Sequence, residues 1–266
     1  MDHESASPKR FHFVFPRAGR TMKPEAVMRA PYGLQIIENC VTCPHKESRL
    51  FCDLPPAALQ RLSDITSSAT YPKGATLFVE GQSARGVFIL CAGHVKLSTS
   101  SADGRTLILR ISEPGELLGL AATIAERPYE VTADVIEPTQ ANFISRPDFL
   151  KFLRDFGEVA VRVAQELSAS YHAALDEMRT IGLSHSAREK LARFVLDWSK
   201  QHSAENGEVR FSLTLTHEEI AQMIGASRET VTRLFADFKK RNLLQIKGSS
   251  VTIRDRQGLE QILQES

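Results

Sequence analysis

The chain has 266 residues, of which 42% are hydrophobic and 24% charged, and its formal net charge is +1. That length supports two domains with separate cores, and the composition is that of a water-soluble globular protein. No apolar run is long enough to span a bilayer, so no membrane partner is expected, and the near-neutral charge leaves any nucleic-acid surface to a local excess of cations.

In chain order, residues 1–38 read as an irregular leader. "MDHESASPKRFHFVFPRAGR" has no apolar segment of the secretory kind, so the expected compartment is the reducing cytoplasm. The four cysteines are therefore not expected to be disulfide staples. Three of them, Cys40, Cys43 and Cys52, fall in "NCVTCPHKESRLFCD". A CxxC pair lets two thiolates reach one metal, and the longer spacer lets a third fold back. Leader and cysteine segment together make up region 1–53.

Residues 54–150 alternate short apolar runs with glycine turns: "ATLFVEG", "GVFILCAG", "HVKLSTS", "RTLILRIS", "EVTADVIE" and "QANFIS". This predicts a small all-β roll or barrel, with Asp103-Gly104 turning a hairpin. Cys91 stands at the end of one such strand, either as a further metal ligand or as a small core residue. A helical period follows over 151–182. Phe156, Ala160, Val163, Leu167, Tyr171, Ala174, Met178 and Ile181 form a narrow apolar seam. Its two readings are a helix lying on its own β domain and a coiled coil with a second copy. The length and narrowness favour the second, with Val163, Leu167, Tyr171, Ala174 and Met178 at the dimer interface.

Residues 183–266 open with a helix near 186–200 and a strand in "VRFSLTLT". Thr216 and Glu219 have capping-box spacing at the start of a helix that stops at Gly225, and Ser227 caps the next one. Two helices joined by "GAS", then a hairpin turning at Gly248-Ser249, predict a winged helix-turn-helix. From 183 to 256 there are 13 Lys and Arg against 9 Asp and Glu, a basic surplus of 4. In such a motif the first turns of the second helix face base edges in the major groove. Arg228, Glu229, Thr232 and Arg233 are placed to read bases, Arg bidentately at guanine and Glu at cytosine. Ser227, Thr230, the Lys239-Lys240-Arg241 run and the wing residue Lys247 suit phosphate contact.

"LTHEEIAQMIGASRETVTRLFADFKKRNLLQIKGSSVTI" resembles the winged helix of the CRP/FNR superfamily of bacterial transcription regulators. The likeness extends through the long helix to the roll sequence "YPKGATLFVEGQSARGVFILCAGHVKLS". It implies an α+β protein: an N-terminal roll like cyclic-nucleotide-binding domains, a long dimerisation helix and a C-terminal winged helix-turn-helix. It further implies a homodimer on palindromic double-stranded DNA, RNA polymerase as a partner, and base reading by Arg228, Glu229 and Arg233. Arg228 matches the cyclic-AMP branch, so half-sites of TGTGA type are expected over TTGAT.

A cyclic nucleotide is not the expected effector. In the family its cassette uses a glycine-led turn, a ribose-binding Glu and an Arg-Ser pair on the phosphate. Gly115 and Glu116 supply the first two, but Arg-Ser falls on Tyr129-Glu130, where a carboxylate would repel phosphate. The cysteines resemble instead the FNR-like subgroup, whose N-terminal cluster holds a 4Fe-4S centre with a fourth cysteine late in the roll. That fourth position falls on Asn142 or Phe143, so Cys91 is the expected fourth ligand, with His45 and Asp53 as alternatives. Three sensing chemistries remain open: an oxygen- or redox-labile iron–sulfur cluster, a thiol or zinc switch, and a small organic effector in the roll. Scattered histidines, with no HExxH and no phosphate loop of GxxxxGK[ST] type, argue against an enzyme.

Overall fold

The computed structural model describes residues 31–49, 51–182, 186–200, 204–205 and 208–264, with the backbone alone at 31, 176–182, 204–205 and 208. Residues 1–30, most of the expected leader, and the Met178 side chain lie outside the described residues.

A helix precedes the roll. In α1 (Pro56–Ile65) the proline at the start is pre-set for helical φ, and Ala58, Leu59 and Leu62 turn one apolar side inward. The strands then follow as β1 (Ser67–Tyr71), β2 (Thr76–Phe78), β3 (Gly86–Ala92), β4 (Val95–Ser100), β5 (Thr106–Ser112) and β6 (Leu117–Leu118). After the short helix α2 (Leu120–Ala125) come β7 (Thr132–Val135) and β8 (Thr139–Ser145). They form two antiparallel four-stranded sheets, ordered β1-β8-β3-β6 and β2-β7-β4-β5. The expected hairpin joins β4 to β5, and Gly104 takes the positive φ of 82° that its turn demands.

Alternation along β3 and β8 divides two cores. Phe88, Leu90 and Ala141 point into the roll beside Phe78 and Tyr129. Val87, Ile89 and Ile144 point outward and are covered by Phe51, Leu54, α1, α3 (Arg146–Asp155) and the start of α4 (Gly157–Gly182). The helical region is thus two helices, not one beginning near Phe152. Ser145 caps α3 by accepting from the Asp148 N–H, and Phe156, with extended backbone, separates α3 from α4.

Packing of α4 corrects the dimer reading in part. Val163 is 3% exposed and, with Val159, belongs to the chain's own core, while Leu167 packs against that core. Val163 is therefore held from within. Tyr171, 62% exposed, and Ala174 remain on the open surface, as does Val161.

The C-terminal unit comprises α5 (Ala187–Ser199), β9 (Ala204–Glu205), β10 (Glu208–Ser212), α6 (His217–Ile224), α7 (Arg228–Lys240), β11 (Leu244–Lys247), β12 (Ser250–Ile253) and α8 (Arg256–Ile262). Its sheet runs β11-β12-β10-β9, and its core includes Leu191, Val195, Ile220, Val231, Phe235 and Phe238. The closing helix α8, not anticipated from sequence, buries Leu259 and Ile262 there. Ile111 and Ile136 of the roll also rest on this core, and Lys96 stands 4.0 Å from Glu219 on α6.

Candidate functional site

The helix-turn-helix is fixed by its caps. Thr216 and Glu219 complete the expected capping box, and α6 ends at Gly225, whose φ of 65° satisfies the last turn without a Cβ penalty. Ser227 then accepts from the Thr230 N–H and opens α7. Val231, Phe235 and Phe238 bury one side of α7, which leaves Arg228, Glu229 and Arg233 exposed on the other. The Glu229 carboxyl is held below its usual range by its own backbone N–H, by the Ser227 hydroxyl and by the Arg228 charge. It stays ionised beside Arg228. Lys247 is exposed at the end of β11, next to the wing turn where Gly248 takes a φ of 59°.

Two of the expected DNA contacts have work inside the protein. The Thr232 hydroxyl donates to the Arg228 carbonyl at 2.9 Å and meets His217 Nδ1 at 2.9 Å, and the His217 ring stacks on Phe235. Thr232 thereby locks α6 to α7. The Thr230 hydroxyl lies 3.1 Å from that of Ser227.

A second constellation forms on the outer face of the β1-β8-β3-β6 sheet. The cysteine segment lies across it, stapled at one end by Gln140. That fully buried amide accepts from the Ile37 N–H at 2.8 Å and donates to the Ile37 carbonyl at 2.7 Å. Register slips between Leu90 and Ala92, so Cys91 is the extra residue of a bulge on β3, a device that re-aims a side chain. The result brings all four cysteines within electrostatic reach of one another. Burial pushes the Cys52 thiol up to about 12, reinforced by Cys91, Cys40 and Cys43. It likewise pushes Cys91 up to about 12, reinforced by Cys40 and Cys43 and opposed by Arg49 and the Asn142 backbone amide. Cys40 is raised by burial and then by Cys43, against a hydrogen bond from Asn142.

Arg49 enters this group without having been anticipated. Its Nη2 donates to the Cys91 carbonyl at 3.0 Å, and its aliphatic stem lies where a Cβ on Gly115 would have to be. Only proximity in the fold reveals that role, since nothing in "HKESRLFC" marks one cation from another. Asn142 is also at the site, with Nδ2 3.7 Å from the Cys40 sulfur. Of the alternative ligands, Asp53 is committed to Arg162 at 2.9 Å and His45 is exposed. Among the described residues, no three His, Cys, Asp or Glu side chains stand as a ready cage for a single metal ion.

The interior of the roll is differently equipped. Tyr129 is buried, stacks on Phe78 with ring centroids 4.1 Å apart, and donates its hydroxyl to the Gly86 carbonyl at 2.8 Å. Glu130 and Arg127 are exposed. Glu116 pairs with Arg110 and accepts from the Glu113 N–H at 3.2 Å. The glycine that opens a helix here is Gly119, followed by the buried Leu120 rather than an acid.

Residues 69–156 match the cyclic nucleotide-binding domain family and residues 189–262 the Crp-like helix-turn-helix domain family. A CRP-like cAMP-activated global transcriptional regulator of Mycobacterium tuberculosis is 28% identical over 211 residues, spanning 79% of this chain and 94% of its own. An anaerobic regulatory protein of Haemophilus influenzae is 29% identical over 191 residues, 70% of this chain and 72% of its own. Among solved structures, FixK2 from Bradyrhizobium japonicum superimposes with a TM-score of 0.66 at 23% identity, covering 74% of this chain and 97% of that one.

Proposed function

Because this chain belongs to the CRP/FNR family of DNA-binding transcription regulators, we propose that it acts as a homodimer whose operator affinity is set by an iron–sulfur cluster on its four cysteines. The observation that carries this reading is the β3 bulge that delivers Cys91 to Cys40, Cys43 and Cys52. An isolated thiol is a common core residue, whereas a strand cysteine that meets the three thiols of the overlying segment supports a reading as a ligand set.

The residues fit such a centre. Four free thiols are the donor set that such a centre would take. Arg49 offsets negative charge, and Asn142 supplies a donor to sulfur. When bound, the cluster supplies a redox- and oxygen-labile crosslink. The chain's part is to hold residues 37–53 against the sheet and to present Asp53 to α4. The relative named an anaerobic regulatory protein agrees with such a signal. What weighs against a cyclic nucleotide is Tyr129, which fills the roll where the phosphate-gripping pair would stand.

On the operator side, paired α7 helices enter successive major grooves of a palindrome about 34–36 Å apart. Arg228, Glu229 and Arg233 read bases of a TGTGA-type half-site, and Ser227, Thr230 and Lys247 position phosphates, with RNA polymerase as the downstream partner. In the helix between the units, Tyr171 and Ala174 face the second copy.

Purification without air tests the reading. Brown protein carrying iron and acid-labile sulfide, bleaching on exposure to air with a change in affinity for a selected palindrome, is expected. Colourless, iron-free protein would remove the cluster and leave a regulator with another signal.

A further inference from the structure

β8 presents Gln140, Asn142 and Ile144 to the same outer face, and the three differ in how they are satisfied. Gln140 uses both ends of its amide on Ile37 and also donates to the Ser68 hydroxyl. Ile144 is apolar and fully buried. Asn142 is 5% exposed, and its Nδ2 donates to the Cys40 sulfur at 3.7 Å, while Oδ1 is buried with no hydrogen-bond partner among the described residues. Leaving a buried carbonyl unpaired costs its full desolvation penalty. A leucine of nearly the same shape would avoid that cost against neighbours such as Ile144, Ile89 and Leu117. An amide retained at such a place points to use of its N–H.

We propose that Asn142 is a positioning residue that sets the reduction potential and air lifetime of the cluster by donating an N–H···S hydrogen bond to Cys40. This rests on the reading of the cysteines as cluster ligands. A donor at sulfur draws electron density from the ligand and favours the more negative, reduced state, so it raises the potential. It also fixes one rotamer of Cys40, on the overlying segment, from β8, the strand paired with the one that carries Cys91. Asn142 thus ties a ligand of the segment to the sheet.

The test compares air-free wild type with Asn142→Leu, which keeps the volume and loses the donor, and with Asn142→Ser, which keeps a donor on a shorter arm. Measured are iron and sulfide per chain, the midpoint potential by redox titration, and the rate of bleaching in air. Asn142→Leu is expected to load normally, to show a more negative potential, and to bleach several-fold faster, with Asn142→Ser between it and wild type. Normal loading with unchanged potential and bleaching would overturn the assignment while leaving the cluster in place. Loss of iron from both folded variants would overturn it as well, making the amide part of the holding of the cluster. Should wild type itself contain no iron, it is the underlying cluster reading that fails.

Discussion

Asp53 and Arg162 are joined by an ion pair at 2.9 Å, which ties the residue after Cys52 to the long helix α4. At 53% and 32% exposure the pair contributes under about 1 kcal/mol to stability. Its value lies in what it connects, because Val159 and Val163 of the same helix rest on the core that the cysteine segment covers. Asp53→Asn is expected to leave melting temperature and iron loading nearly unchanged. The ratio of operator affinities between air-free and air-exposed protein should fall toward one, as read by fluorescence anisotropy. A ratio equal to wild type would show that the signal takes another route.

Ligand identity has a direct test in the β3 and β8 ladder, where Cys91 follows Leu90, the partner of Ala141. Cys91→Ser is expected to abolish iron uptake. Adding Asn142→Cys to it places a thiol on the adjacent strand, at one of the two positions, Asn142 and Phe143, where the FNR-like resemblance puts a fourth cysteine, and should restore brown colour in the double variant. Unchanged loading of Cys91→Ser would return Cys91 to the status of a core residue.

In iron-free protein the buried thiols have a pH signature. Cys52 and Cys91 are pushed from 9.0 up to about 12. A folded value above the unfolded one means that their contribution is fully present below pH 9 and is lost as pH rises from there toward 12. Urea midpoints should therefore decline between about pH 9 and 11. Near pH 8 iodoacetamide should label both residues slowly, and rapid labelling by mass spectrometry would contradict their burial.

Arg233 is exposed on α7, with Val231 and Phe235 buried on the other side. Arg233→Ala is expected to cost about 1–3 kcal/mol on the selected operator and to relax one base position. Lys247→Ala should instead weaken all sequences alike and reduce the salt slope by about 1. Equal loss for Arg233→Ala on random DNA would reassign that residue to the phosphates.

For the dimer, Tyr171→Glu should lower the mass in solution while leaving circular dichroism intact, since Tyr171 is 62% exposed in the single chain. Val163→Glu should unfold the region, because its site is 3% exposed within the protomer. A Tyr171→Glu protein of unchanged mass would place the interface elsewhere.

The strands were legible because glycine breaks at 86, 93, 104 and 115 punctuate short apolar runs, and the winged motif because its caps are local chemistry. The helices α1 and α3 were missed: each has a proline in its first turn and presents only two or three buried apolar residues, too short a period to separate from neighbouring strands. The inward face of α4 was read as a seam for a partner, since periodicity records that a face is apolar and not what covers it. Convergence of Cys91 with the other cysteines depends on a one-residue slip in strand register, and the parts of Arg49 and Asn142 depend on that convergence in turn. None of these leaves a mark on linear spacing.

Tyr129 occupies the heart of the roll, hydroxyl on Gly86 and ring on Phe78. If the signal is received at the cysteines, as proposed, this close packing gives the outer wall of the roll a solid backing for the regulatory event. On that proposal the roll is an anvil against which the cysteine strap is tightened or released.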